Sequence, residues 1–203
     1  EGLTDSWNKG YRYFKQNNQY DYLIISNNDV LIPKGALQEL VNVYKKWPFT
    51  VVVPMSTEKG VGHAPTQYVG KYYDDSSLNA NSHENYQHIQ DCILSYKNEL
   101  KKAKELHRVD PFRMKHFNGF CFMMNRNVCK YERDDGGIFE PANLMIKNED
   151  TFNWRVLLPN NDYPALCRTS FIYHFKGVST YDQFDDFKLV VKDKEGFLKE
   201  REK

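Results

Sequence analysis

The feature that most constrains the fold of this chain is a change of hydrophobic period that occurs twice in its first quarter. Between residues 3 and 14, Leu3, Trp7, Tyr11 and Phe14 recur at helical spacing, with Asp5 and Ser6 near the start and Asn17-Asn18 as a stop signal. Residues 20–26, YDYLIIS, then form a short and nearly continuous apolar run, which predicts a strand covered on both faces, as in a parallel sheet. After Pro33 the alternation repeats: Leu37, Leu40, Val41 and Tyr44 fall on one helical stripe within residues 35–47, and Val51-Val52-Val53 reads as a second buried strand before Pro54. Helix, strand, helix, strand predicts an α/β fold with a mostly parallel central sheet flanked by helices. Ligands of such sheets bind beyond the carboxyl ends of the strands, and Asn27-Asn28-Asp29 stands at such an end.

Further along, residues 56–82 are rich in Gly, Ser, Asn, Asp and Tyr with little periodicity, and predict a surface excursion or lid. Residues 83–107 carry Ile89, Ile93, Tyr96, Leu100 and Leu106 among many charges and read as a helix. The two together make an insert over about 56–112. An apolar stretch around Gly119 (residues 117–124), a tight loop at 134–137, a helix over 149–158 and a last strand at 170–175 complete one domain over 1–180, followed by a charged helical tail at 181–203.

Composition narrows the function classes. The 28 basic and 27 acidic residues are interspersed and nearly cancel, so no footprint for nucleic acid is visible. Four cysteines lack any Cys-x-x-Cys spacing, which argues against a zinc ribbon or a dithiol redox pair and fits a reducing, cytoplasmic setting. Cys121, inside Phe120-Cys121-Phe122-Met123-Met124, reads as a small buried hydrophobe. No apolar run approaches the ~18 residues of a membrane span. Aromatics at 15% of the chain are compatible with a groove that stacks sugars or bases, and equally with a Tyr-rich surface.

Three groups of residues have chemistry to offer. Asp29, at the mouth of the sheet, is placed to ligate a divalent cation while Asn27 and Asn28 hydrogen-bond ribose or phosphate oxygens; the alternative is that Asn-Asn-Asp is simply a turn. Glu149 and Asp150 open a helix, where acidic residues favour the dipole, and either is also placed to act as a general base. His174 ends an apolar strand, as a metal ligand or as a packed structural residue. His63, His83, His88, His107 and His116 read as scattered surface residues, and His63, Tyr68, Tyr72, Tyr73, Asp74 and Asp75 lie in the excursion that would overhang an acceptor.

The order of these groups is more informative than any one of them: Trp7-Asn8-Lys9-Gly10, Asn27-Asn28-Asp29, Phe117-Asn118-Gly119-Phe120, Glu149-Asp150 with Trp154-Arg155, and His174-Phe175-Lys176-Gly177-Val178-Ser179. In that order the chain resembles family 2 glycosyltransferases of the GT-A fold, in particular the rhamnosyltransferase-like branch, over residues 3–180. The resemblance implies an inverting enzyme that transfers a hexosyl or deoxyhexosyl group from a nucleoside-diphosphate sugar to a glycan or other hydroxyl acceptor, with Mn2+ or Mg2+ bound. It implies Asp29 and His174 as contacts of the metal and diphosphate, Asn8, Asn27, Asn28 and Gly119 on the donor side, and Asp150 or Glu149 as the base. Two departures stand out. The family's Asp-x-Asp is here Asn27-Asn28-Asp29, and the strand, helix and strand that hold the base in the family have no counterpart before residue 3. Two other classes remain open: a nucleotidyltransferase-like enzyme, although no Gly-rich phosphate loop is found, and a non-catalytic glycan-binding relative.

Overall fold

The computed structural model describes residues 2–56, 67, 86–106, 109–143 and 148–174. In chain order these form helix α1 (Leu3–Gln16), strands β1 (Tyr22–Ser26) and β2 (Val30–Leu31), helix α2 (Ala36–Tyr44), strand β3 (Val51–Ser56), helix α3 (Tyr86–Glu105), strands β4 (Phe112–Arg113) and β5 (Cys121–Asn125), a 3-10 turn at Arg126–Tyr131, helix α4 (Asn148–Phe152) and strand β6 (Ala165–His174). The strands form one sheet ordered β1-β5-β3-β6-β2, with β4 also on β6.

Alternation along the central strands divides the core. Val51, Val53, Phe122, Met124, Leu166, Phe171 and Tyr173 face Trp7, Tyr11 and Phe14 of α1, Ile89, Ile93 and Tyr96 of α3, and Phe152 beyond them. Val52, Met123, Ala165 and Cys167 face the opposite way, against Leu40 and Val43 of α2. The chain is thus a mixed α/β structure with helices on both sheet faces. Residues of β3 are fully buried throughout, in keeping with the continuous apolar run at Val51-Val52-Val53.

Two expectations are corrected. The sheet is mixed and not mostly parallel: β3 and β6 pair in parallel, whereas β1/β5, β3/β5, β2/β6 and β4/β6 pair antiparallel. The apolar runs reported burial on two faces, which helices impose whichever way the neighbouring strand runs. Second, β1 is an edge strand. Ile25 alone in it is buried, and Ile24 is 37% exposed, because the strand has β5 on one side.

Local chemistry explains several irregularities. Pro54 has no N–H to donate, and the β3/β6 register shifts between Pro54 and Met55. The C-terminal carbonyls of α1 are met by Arg126, whose guanidinium donates to Phe14 O at 3.3 Å and Asn17 O at 2.6 Å and lies 4.7 Å over the Phe14 ring. The helix expected at 149–158 starts at Asn148 but widens into a π turn at Asn153–Leu157 and ends as a 3-10 turn at Leu158–Asn160. Of the expected excursion only Ser56, which ends β3, and Gln67 are described; its other residues and the whole 181–203 tail lie outside the described residues. No helix among the described residues is long and apolar enough to cross a membrane.

Candidate active site

The end of β1 is carried one step past its last paired residue, where Asn27 N–H donates to Phe120 O at 2.7 Å. Asn28 is exposed at the bend that follows. The chain then returns as β2, whose Val30 pairs with His174 and Leu31 with Tyr173. That register sets Asp29 against the last residue of β6. Its Oδ1 lies 3.3 Å from His174 Nε2, and the two side chains are only 9% and 8% exposed. The His174 ring is stacked on Phe120, with centroids 4.9 Å apart and planes at 16°.

On the other side of Phe120 is Gly119. A Cβ there would stand 2.7 Å from Glu149 Cδ and 2.8 Å from Oε2, so the absence of a side chain is what lets the Glu149 carboxyl reach this turn. The same loop is tied down at three further points. Asn153 donates to Lys115 O. Gln67 Oε1 accepts from Asn118 N–H at 2.6 Å while Gln67 Nε2 donates to Pro54 O at 2.9 Å. Asp150 Oδ1 sits 3.1 Å from His116 Nδ1. Three distant segments, at 27–29, 149–150 and 174, therefore meet on the loop 116–120.

Compared with protein-family models, curated proteins and solved structures, the chain finds no match.

Of the residues singled out in the sequence, Asn27, Asp29, Gly119, Glu149 and His174 are brought together at this turn, with Asp150 beside it. Asn8 has a different employment. It is 3% exposed, accepts from the N–H groups of Ile138 and Phe139 at 3.0 Å each, and donates to Phe139 O at 3.0 Å. Its amide is committed to the backbone of 138–139, and Gly137 makes room for it. His63, Tyr68, Tyr72, Tyr73, Asp74 and Asp75 lie outside the described residues. Two residues of the site had no signal in the sequence. Gln67 is a fully buried amide within a polar stretch, and His116 reads in the sequence as one of several scattered surface histidines. Only a pairing across 34 positions distinguishes it, and local spacing carries no trace of that.

The site suits a divalent cation on one observation of its own. Asp29 Oδ1 is a buried oxygen that has no hydrogen-bond partner among the described residues, although it faces Nε2 at ion-pair distance. A buried carboxylate oxygen left without a donor is costly, and a hard cation is one group that would satisfy it. A separation of 3.3 Å is within the span of two ligands each about 2.0–2.2 Å from a single ion. Among the described residues no group of three or more His, Cys, Asp or Glu side chains gathers as a metal cage. The chain's own contribution would be two ligands, which suits an ion that shares its remaining positions between water and substrate phosphates.

Proposed function

We propose that this chain is the catalytic part of an inverting, nucleotide-sugar-dependent glycosyltransferase with a GT-A-like arrangement, and that the turn at Gly119-Phe120 is where donor and acceptor meet. The observation that carries the proposal is the meeting of Asp29, His174 and Glu149 at that turn. These residues come from segments up to 145 positions apart, counted from residue 29 to residue 174.

Each group has a task in a single displacement. Asp29 and His174 would hold Mn2+ or Mg2+, which when bound would supply positive charge to offset that of a departing nucleoside diphosphate. Gly119 keeps the floor low, so that a sugar ring and the Glu149 carboxyl share the space above it. Asn27, whose backbone is fixed on Phe120, and exposed Asn28 present amide groups to ribose or phosphate oxygens. Glu149 and Asp150 stand on the acceptor side, where a base is required to take the hydroxyl proton. One displacement inverts the anomeric centre without an enzyme nucleophile. The acceptor is a glycan or another hydroxyl compound.

A thermal-shift titration with Mn2+ and uridine or thymidine diphosphate tests this. A ligand at 100 times its Kd stabilises by about 2.7 kcal/mol, which raises the melting temperature by roughly 5–11 °C for a chain of this size. The shift should require metal and nucleotide together and vanish in Asp29→Ala. A full shift in Asp29→Ala would remove Asp29 from the site, and its absence in the wild-type chain would remove the donor.

A further inference from the structure

We infer that the proton acceptor of this site is a His116–Asp150 dyad, with His116 Nε2 as the atom that takes the proton and Asp150 as the group that positions it. This rests on the glycosyltransferase proposal and names a base that the sequence pattern did not.

The geometry separates the two ring nitrogens of His116. Nδ1 is fully buried and faces Asp150 Oδ1 at 3.1 Å. The side chain as a whole is 23% exposed, so its exposure falls on the rest of the ring. Nε2 is not among the buried atoms that lack a partner, and it makes no hydrogen bond among the described residues, which leaves it on the partly exposed side of the ring. A carboxylate against one imidazole nitrogen favours the tautomer that carries the proton there, and leaves the other nitrogen as a lone pair. Here the proton belongs on Nδ1 and the lone pair on Nε2, on the accessible edge. Nδ1 and Oδ1 are at ion-pair distance but outside hydrogen-bond alignment, a looseness common in sites without substrate that tightens when the complex forms.

The Asp150 side chain is 39% exposed and its Oδ1 is turned to Nδ1, which suits it to orienting the ring. An imidazole nitrogen is intrinsically the stronger base near neutral pH. The loop also places the ring suitably: His116 lies three residues before Gly119, and Glu149, next to Asp150, reaches over Gly119. In the step, the acceptor O–H proton moves to Nε2 as the acceptor oxygen forms its bond to the anomeric carbon. The bond from that carbon to the diphosphate oxygen breaks, its electron pair leaves on the nucleoside diphosphate, and the imidazolium then gives its proton to solvent.

Two measurements test the dyad. The first is independent of turnover: in a long-range proton–nitrogen NMR spectrum of the histidine-labelled chain at neutral pH, His116 should be protonated on Nδ1 and bare on Nε2, and Asp150→Asn should shift it toward the opposite tautomer. A wild-type His116 protonated on Nε2 overturns the dyad. The second follows hydrolysis of uridine- and thymidine-diphosphate hexoses and deoxyhexoses, with Mn2+ present and water as acceptor. His116→Ala should lose about 10²–10⁴-fold and regain part of it with added imidazole. Wild-type rates in His116→Ala overturn the dyad and leave the transferase standing. A wild-type chain with the stated tautomer but no turnover of any donor overturns the transferase, and with it the base.

Discussion

Asn8 offers the sharpest separation between a residue that binds donor and one that holds the fold. Replacing it with Ala removes three hydrogen bonds of 3.0 Å to Ile138 N, Phe139 N and Phe139 O and leaves two N–H groups and a carbonyl without partners in a place where Asn8 itself is 3% exposed. Each orphaned buried group costs about 1–3 kcal/mol. Some relief will come from water entering the space vacated by the amide, so the total should sit near the low end of the sum, about 3 kcal/mol. For a chain of this length that corresponds to a fall of roughly 6–12 °C in melting temperature. Asn8→Asp is the informative partner. It keeps an oxygen for both N–H donors but buries a charge and turns a carboxylate oxygen toward Phe139 O, so it too should destabilise the fold. Urea unfolding followed by circular dichroism gives the stabilities, and nucleotide titration at a temperature where both variants are folded gives the affinities. The reasoning is refuted if Asn8→Ala unfolds within about 0.5 kcal/mol of wild type while losing nucleotide affinity, since Asn8 would then serve the donor.

Two glycines should behave differently for the same physical reason. At Gly119 the atoms an added Cβ would meet are the far end of Glu149, whereas at Gly137 they are Asn8 Oδ1 at 2.7 Å and Cγ at 2.8 Å, held by three hydrogen bonds. Gly119→Ala should therefore cost about 1 kcal/mol or less in urea unfolding and show its effect on donor turnover, while Gly137→Ala should cost about 1–3 kcal/mol; the reverse ranking would show that Glu149 is the fixed group. Burial pushes the thiol of Cys121 up to about 12 and that of Cys167 up to about 11 from an ordinary 9.0, so neither should be alkylated by iodoacetamide in the folded chain at pH 8, as read by peptide mass mapping. Raised values mean the stability is complete below pH 9 and is lost as pH climbs toward 11 and 12. Unfolding free energies of a Cys121→Ala/Cys167→Ala chain should accordingly fall less steeply than wild type across that window, and an identical slope would show that the thiolates are not excluded.

Several elements were legible because their burial is local and periodic. The α1 stripe of Trp7, Tyr11 and Phe14 is buried, and β3 lies where three consecutive valines demanded cover. Strand direction was not legible, since Cys121–Asn125 runs apolar between β1 and β3 whether it pairs parallel or antiparallel. Nor was the edge position of β1, where Ile24 reaches solvent despite an apolar run around it. β4 has two residues, both exposed, too few to carry a period. The site divides the same way. Asp29, Glu149 and His174 could be singled out from their order along the chain, but the contacts that assemble them depend on the return of β2 onto β6, a long-range pairing. His116 and Gln67 enter the site entirely through such pairings.

Phe120 shows why these long-range contacts act as one unit. Its carbonyl receives Asn27 N–H, its ring supports His174, and the glycine before it admits Glu149. A shift of this turn moves the strand end that carries Asp29, the ring that faces Asp29, and the floor beneath the acidic helix start together. Packed interiors of this kind move between discrete arrangements more readily than they deform. The separation between the Asp29–His174 pair and the His116–Asp150 pair is consequently set by the backbone of 116–120, which Gln67 and Asn153 pin at Asn118 and Lys115. For a displacement in which one pair holds the leaving group and the other receives the proton, that separation has to match the span of a diphosphate sugar and its acceptor, and rigidity in this loop is the physical means by which the match would be kept.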